Sequence, residues 1–478
     1  MKRKHPDPRL LSTISPPLLL GALCLLCASA FSPQKARAAD APTRVTVTKL
    51  ASGATLIVAP EPDSPLVAVD IFFRVGYAEE RQSGRRGVPV PEGITALLTR
   101  AWLGGSEGRG AETIARDIGG LGGNVGADAG GDYVELFAVT SAGAQTFQKA
   151  AATLIANVIG RPSFDDAAIE TARRDQLRAL LLQNDPLFAS ALGRVRNRLW
   201  DDSPYARSPL GTEESVRAIT AAQVRAFYAT YFRPDRAVIV VAGNVDPQMA
   251  QKEIEANIGA AGWAEKGPSP APLPIAPETL ARTPPDVSVG RRAPVTVLMA
   301  GFLAPGTERP DDYAALLVVD ALAGGGKGGR LFRTVRDERG IGYDVGSLVQ
   351  PGRYQSLLAG YLATVTLLRG PNGPRSVLGE VSGTLLDALK GLASSKRSPT
   401  GAEIARAKAF LKGRYALRHE RLKERAFLLG WSEIMGLGAA FDTGFDARIE
   451  AVTPEAIQRT ARAVLGGNHV IAVTLPER

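Results

Sequence analysis

Few residues of this 478-residue chain are of types that carry chemistry on their own. There are three histidines, His5, His419 and His469, and two cysteines, Cys24 and Cys27. Both cysteines sit inside the apolar run Leu18 to Phe31. The rest of the chain therefore has no thiol for disulfides, zinc or nucleophilic catalysis. His419 and His469 stand apart from any further His, Cys or paired carboxylates, a setting that suits ordinary surface or helix contacts better than metal binding. Gly324-Gly-Gly-Lys-Gly-Gly-Arg330 has the glycines of a phosphate loop. However, Lys327 is followed by Gly328 instead of Ser or Thr, and a helix precedes it, so the match fails. The glycines there serve a tight turn or a hinge. Arg336 and Tyr343 taken alone read as a surface ion pair and the start of a strand.

Composition narrows the classes further. With 45% hydrophobic and 22% charged residues, the chain is globular and long enough for two or three domains. The net charge of +9 invites a nucleic-acid partner. Yet Lys2, Arg3, Lys4 and Arg9 precede the apolar run, and Ala36-Arg37-Ala38 supplies small residues before Ala39, the three-part pattern of a secretory signal. Cleavage is expected after Ala38. Taking six Lys/Arg and one Asp from totals of 57 and 48 leaves 51 and 47, a net charge of +4. No basic run with interleaved aromatics remains to follow a phosphate backbone, so nucleic acid is not an expected partner. The signal run is shorter than the roughly 20 residues of a spanning helix, and no later segment qualifies. A periplasmic or secreted location is expected, with no membrane span.

The segments that must position any site form two similar blocks. Val45–Leu50, Thr55–Val58 and Val67–Val75 alternate as strands, helices follow at 93–103 and 112–118, and Tyr133–Val139 is a clear strand. Helical patterns occupy 142–159, 165–184 and 186–200. Eight prolines between Lys266 and Pro294 mark a semi-rigid linker. Beyond it the pattern restarts: a strand at 295–302, helices at 312–322 and 331–339, strands across 344–364, and helices at 375–392 and 400–437. Thr220 opens a helix that leads into the strand Ala237–Ala242, and Thr453 does the same before His469–Val473. The expectation is an α+β chain of two homologous domains, each an antiparallel-type sheet packed with helices. Their bounds are 39–262 and 295–478, after a signal at 1–38 and around a linker at 263–294.

The two halves resemble the pitrilysin/insulinase-type zinc metallopeptidases, in particular the small bacterial members and the mitochondrial processing peptidase subunits. The carriers are Leu121-Gly-Gly-Asn124, Tyr231-Phe-Arg-Pro-Asp235 before a strand ending at Gly243, and Arg330-Leu-Phe-Arg-Thr-Val-Arg-Asp-Glu-Arg-Gly-Ile-Gly-Tyr343. The resemblance implies that the two domains form half of a clamshell around an unfolded peptide. It also implies a zinc site, His-x-x-Glu-His, on the first helix of the first domain. Residues i and i+4 share a helix face, so two His can hold one zinc while Glu deprotonates the bound water. Here Ala96 and Arg100 stand at the histidine positions, Thr99 at the glutamate, and Leu180, within a residue or two, at the distant third ligand. A fixed cation at Arg100 opposes a divalent ion. No cofactor is expected on this chain.

What the resemblance retains is an Arg and a Tyr seven residues apart, matched by Arg336 and Tyr343. In the family these hold the substrate backbone and stabilise the developing oxyanion, a role in which one donor is worth about 3 to 4 kcal/mol. Some members divide the labour between a zinc-bearing chain and an Arg/Tyr-bearing chain. This sequence matches the second kind: a non-catalytic subunit whose zinc sits on a homologous partner and whose substrate is an unfolded peptide. By the same resemblance, 124–128 belong to the sheet edge where peptide adds as a strand. The alternative, from a different class, is a stand-alone pseudopeptidase acting as a peptide-binding or assembly scaffold. The basic segment Arg414 to Arg425 reads as a solvated face or part of a partner interface.

Overall fold

The computed structural model describes residues 44–84, 90–183, 187–200, 203–263, 286–290, 295–342, 344–365, 367–370 and 373–476. The expected signal, most of the Pro-rich stretch and Tyr343 lie outside the described residues.

The first sheet has six strands: β1 (Thr46–Lys49), β2 (Thr55–Pro60), β3 (Leu66–Phe73), β4 (Asn124–Ala129), β5 (Val134–Ser141) and β6 (Ala237–Gly243). Their spatial order is β1-β2-β6-β3-β5-β4. Around this sheet lie α1 (Ile94–Trp102), α2 (Asp166–Gln183), α3 (Leu187–Trp200) and α4 (Ala221–Tyr231). The second sheet has β7 (Asp286–Gly290), β8 (Thr296–Pro305), β9 (Asp344–Gln350), β10 (Gln355–Thr364) and β11 (Val470–Pro476), in the order β7-β11-β8-β10-β9. Its helices include α5 (Pro310–Gly324), α6 (Gly401–Arg418), α7 (Leu422–Ile434) and α8 (Pro454–Leu465).

Laid side by side, the second order repeats β2-β6-β3-β5-β4. The directions repeat as well: β2 runs parallel to β6 and β7 parallel to β11, while every other neighbouring pair in those two orders is antiparallel. Two sheets with the same order and the same single parallel pair are the duplication expected from the sequence. The threonine echo has a physical basis too. Thr220 accepts from the Gln223 N–H at 3.2 Å and Thr453 from the Ala456 N–H at 3.2 Å, each satisfying an orphan donor at the start of the helix before the parallel strand.

Three local readings change. Asp286–Gly290 falls in the stretch read as linker, yet it pairs with β11 as the counterpart of β2. Proline density had masked a strand of five residues. The long helical pattern from Thr400 breaks between Arg418 and Leu422, where His419 caps α6. The helix expected from Arg375 starts at Leu378, after a small hairpin of Leu367–Gly370 with Gly373–Ser376.

Central strands β3, β6 and β8 read as near-continuous apolar runs because both faces of each sheet are covered. The outer cores are separate. One surrounds Trp102, Phe73 and Phe232, and the other surrounds Phe302, Leu316 and Leu358. The inner faces are filled by exchange: α3 packs its Ala191, Val195 and Leu199 on the second sheet, and α7 packs its Leu422, Ala426 and Leu429 on the first. Gly430 permits that approach, since a Cβ there would lie 2.2 Å from the Phe72 ring.

Polar contacts fix the exchange. Lys423 of α7 donates to Asp70 of β3 at 3.0 Å and to Glu135 of β5. It lies 4.2 Å from the centroid of the Phe137 ring. Arg425 grips Glu61 through two bonds of 2.8 and 2.6 Å. Trp200 of α3 donates to Gln355 at 2.9 Å, and Asp132 accepts both from the Tyr205 hydroxyl at 2.6 Å and from the Arg353 N–H at 3.0 Å. Burial pushes the Asp70 and Glu135 carboxyls up, while the same pair outweighs burial at Lys423 and raises its pKa. Removing one partner of a buried ion cluster strands the others in low dielectric. Lys423→Ala should therefore lose about 3 to 5 kcal/mol of stability in urea unfolding at pH 7. A triple replacement of Lys423, Asp70 and Glu135 by apolar residues should recover most of that loss.

Candidate functional site

The first candidate region is built on α1. Its residue before the first turn is Gly93, at φ +85°, and no side chain of its own segment caps the helix. A Cβ at Gly93 would sit 2.7 Å from the Leu210 carbonyl. The helix is capped from a distance instead. The Glu80 carboxyl accepts from the Gly93 N–H at 2.7 Å and the Thr95 N–H at 2.9 Å, which satisfies two of the orphan donors at the start of the helix. Gln176 of α2 donates to the Gly93 and Leu210 carbonyls at 2.9 and 2.8 Å. One turn of chain is thus held from three sides.

On this helix Ala96 and Thr99 are buried and Arg100 is exposed at the last turn. Thr99 Oγ1 donates to the Thr95 carbonyl at 2.8 Å, and Arg100 Nη1 to the Ala96 carbonyl at 3.2 Å. Partial burial lowers the Arg100 guanidinium pKa, against the fields of Asp175 on α2 and Asp128 on β4. These groups do not fit a zinc ion. Ala96 has no donor atom, the Thr99 hydroxyl is bonded to its own helix, and Arg100 brings a positive charge. Among the described residues no group of three or more His, Cys, Asp or Glu could hold a metal.

The register of α2 against α1 is set at both ends, by Gln176 at Gly93 and by Ala168 against Gly104. Positions opposite Ala96 to Arg100 therefore fall between Ala168 and Gln176. Leu180, half-buried, lies one turn further on; of the two acids in the facing window, Glu170 and Asp175, it is Asp175 whose field reaches Arg100. The neighbouring edge, β4, pairs only with β5 among the described strands, and its residues are mostly half-exposed.

The second candidate region lies across Arg330 to Tyr343. Phe332–Glu338 form a wide helical turn, and the chain then folds back so that the Ile341 N–H donates to the Val335 carbonyl at 3.0 Å. Gly342 packs against Val335, where a Cβ would be 2.9 Å from Cγ1. The path from Arg336 to Gly342 is thus short and fixed. Arg336 is half-buried and engaged with its surroundings. Tyr343 precedes β9 directly and is outside the described residues. The three other arginines of the motif are committed elsewhere: Arg330 reaches Glu403 at 3.0 and 3.1 Å, Arg333 reaches it at 2.9 Å, and Arg339 donates to the Thr384 hydroxyl at 2.9 Å. The bonds from Arg330, and after them those from the Thr400 N–H and Arg333, hold the Glu403 carboxyl far below the usual carboxylate range against the effect of burial.

Both histidines make the local contacts expected of them. His419 bonds Asp442 at 3.0 Å and the Tyr415 carbonyl at 2.8 Å, and Asp442 raises its pKa. His469 stacks on Phe302 with ring centroids 5.7 Å apart. The glycine run makes a tight turn, with Gly326 at φ +62° and Gly324 pressed on Ser347, where a Cβ would be 2.1 Å from its nitrogen.

Sequence reasoning missed Glu79, Glu80, Asp132 and the Asp70–Glu135–Lys423 cluster. For Asp70 and Glu135 a signal existed, since Asp70 is the one polar residue of its strand and Glu135 stands within the mostly apolar run Val134–Val139. No spacing rule links Glu80 to a helix start thirteen positions away.

Comparison with known proteins agrees with this geometry. Residues 218–411 match the family described as peptidase M16 inactive domain. An uncharacterized zinc protease of Streptomyces coelicolor is 25% identical over 434 residues, covering 90% of this chain and 89% of that protein. A non-peptidase homolog of Helicobacter pylori is 23% identical over 288 residues, covering 58% of this chain and 61% of its own. In structure, a peptidase M16 inactive domain from Pseudomonas fluorescens superposes with a TM-score of 0.77 at 23% identity, covering 91% of this chain and 98% of that one. An M16-like peptidase from Alicyclobacillus acidocaldarius gives 0.75 at 18%, covering 92% and 99%. The chain thus has the fold of the M16-like structures, and over residues 218–411 it is similar to the peptidase M16 inactive domain. No described helix is long and apolar enough to cross a membrane.

Burial raises both Glu79 and Glu80 to about 8. A carboxyl raised in the folded state contributes its full stability below the unfolded pKa, near 4.5, and loses it as pH rises toward 8. The melting temperature should fall between pH 5 and 8. Glu80→Gln should flatten that slope, a comparison that scanning calorimetry across the range would settle.

Proposed function

We propose that this protein is the Arg/Tyr-bearing subunit of a two-chain zinc peptidase that acts on unfolded peptides outside the cytoplasm. The observation that carries the reading is the contrast between its two halves. The first-domain helix has Ala96, Thr99 and Arg100 where zinc chemistry needs two His and a Glu, whereas the second domain keeps Arg336 and Tyr343 at the matching spacing. A chain that has lost the metal ligands and retained the groups that grip substrate can act only across an interface.

In that arrangement a homologous partner holds the zinc. Arg336 offers several fixed donors to peptide carbonyls and helps to orient the backbone. Tyr343 donates its phenolic hydrogen to the carbonyl oxygen as negative charge builds there. The Glu403 clamp on Arg330 and Arg333 supports this division, because it anchors the turn that carries Arg336 without using Arg336 itself. The leader-like residues 1–38 favour a periplasmic or secreted site of action.

Mixing the protein with a homologous subunit that carries an intact His-x-x-Glu-His should produce chelator-sensitive cleavage of unfolded peptides. Tyr343→Phe should then lower turnover at least tenfold, about 1.4 kcal/mol, with little change in subunit association. Unchanged turnover would remove the tyrosine from the reaction. A stable, inactive homodimer that ignores every zinc-bearing homologue would favour the scaffold reading.

A further inference from the structure

A cavity of about 400 Å³ lies in the second half, bounded by α5, α6, α7 and the edge strand β9. Its walls are apolar, with Leu317 of α5, Trp431 of α7 and Phe441 among them. Asp320 and Ser347 form its polar end, where the serine hydroxyl donates to the Asp320 carboxylate at 2.6 Å. Arg414 and Arg418 are exposed residues of its lining. Arg418 is paired with Glu424 at 3.2 Å. Arg414 rests over the Phe410 ring at 5.5 Å and, among the described residues, has no carboxylate within ion-pair distance.

The position of the cavity matters as much as its lining. Among the described strands β9 pairs only with β10, so its other side is an open edge with backbone donors and acceptors to offer. Val345, Ser347 and Val349 stand opposite Leu362, Gly360 and Leu358. Leu358 and Leu362 belong to the helix-covered core, so these alternate β9 residues share the helical face of the sheet. Ser347 and Val349 line the cavity. A peptide strand added beside β9 would send every second side chain toward that same face. The apolar walls favour a large apolar group there. The unpaired Arg414 favours a carboxylate close by and disfavours a lysine.

We propose that this cavity is a side-chain pocket for an extended peptide paired with β9, taking a large apolar residue and reading a neighbouring acidic residue through Arg414. This rests on the reading of the protein as peptide-binding, and it adds a selectivity that Arg336 and Tyr343, which address backbone groups, do not supply. Burial raises Asp320 to about 6, and its bond from Ser347 satisfies one acceptor, so the polar end does not demand a cationic guest.

The test uses the isolated chain, with neither partner nor zinc, and fluorescein-labelled nonapeptides of Ser, Thr and Gln that carry one central guest residue. By fluorescence anisotropy, Phe or Leu guests should bind at least tenfold more tightly than Ala or Lys guests. A Glu placed two residues from the guest should tighten binding about fivefold, and R414E should reverse that preference in favour of Lys. Leu317→Trp should narrow the pocket and abolish the preference for Phe over Ala while leaving the Ala peptide unaffected. Arg414 is exposed, so R414E tests the charge term even where the tryptophan variant fails to fold. Equal affinity for all guests overturns the proposal, as does a Phe preference that survives in a folded Leu317→Trp protein. Competition by free N-acetylphenylalanine as effective as that of the peptide also overturns it, by showing a small-molecule site without strand addition. None of these outcomes bears on metal-dependent turnover in the two-chain mixture, so the pocket and the subunit role fail separately.

Discussion

Lys423 crosses from one half of the chain into the sheet of the other and ends between two buried carboxylates. That contact constrains the rest. Asp70 and Glu135 lie on adjacent strands, so a single ammonium fixes the height and rotation of α7 over the first sheet. Arg425 and Glu61 hold the same helix nearby. Because α3 makes the reciprocal contact with the second sheet, the two halves have only one way to fill both inner faces at once. A buried lysine is costly where its partners fail to align, which makes the cluster a stronger argument for a unique arrangement than for raw stability.

The two candidate regions use this frame differently. At α1 the fold is rigidly retained: Glu80 and Gln176 still hold the first turn in a form suited to presenting side chains in register. What it presents is Ala96, Thr99 and Arg100, a set with no metal ligand and one permanent positive charge. In the second half, the turn around Arg336 is anchored by Glu403 and runs by a short path to Gly342.

Much of the fold was legible because the sequence repeats itself. Thr220 and Thr453 each announce a capped helix before a strand, and apolar runs such as Val238 to Ala242 need cover on both faces. The strand Asp286–Gly290 was not legible, since the surrounding prolines and its length of five residues gave it the look of linker despite the alternation of Val287 and Val289. Only pairing with β11 defines it. That Ala96, Thr99 and Arg100 offer no metal ligand could be read directly from the residue types. The facing residue on α2 could not, because helix register depends on where Gln176 and Ala168 meet α1, and neither contact has a sequence signature. Buried acids such as Glu80 escaped for a similar reason: their partners are backbone N–H groups, which every residue but proline provides.

The exchange of α3 and α7 has a consequence for how the molecule tolerates a nick. Each half stores, within its own stretch of sequence, the helix that closes the inner face of the other. A break in the Pro-rich stretch would therefore yield two fragments that complement one another, each exposing a bare sheet face until it finds its counterpart. Covalent continuity here raises the local concentration of the two pieces but does not supply the interface between them. Division of one such protein into two genes, or fusion of two into one, would require no new packing.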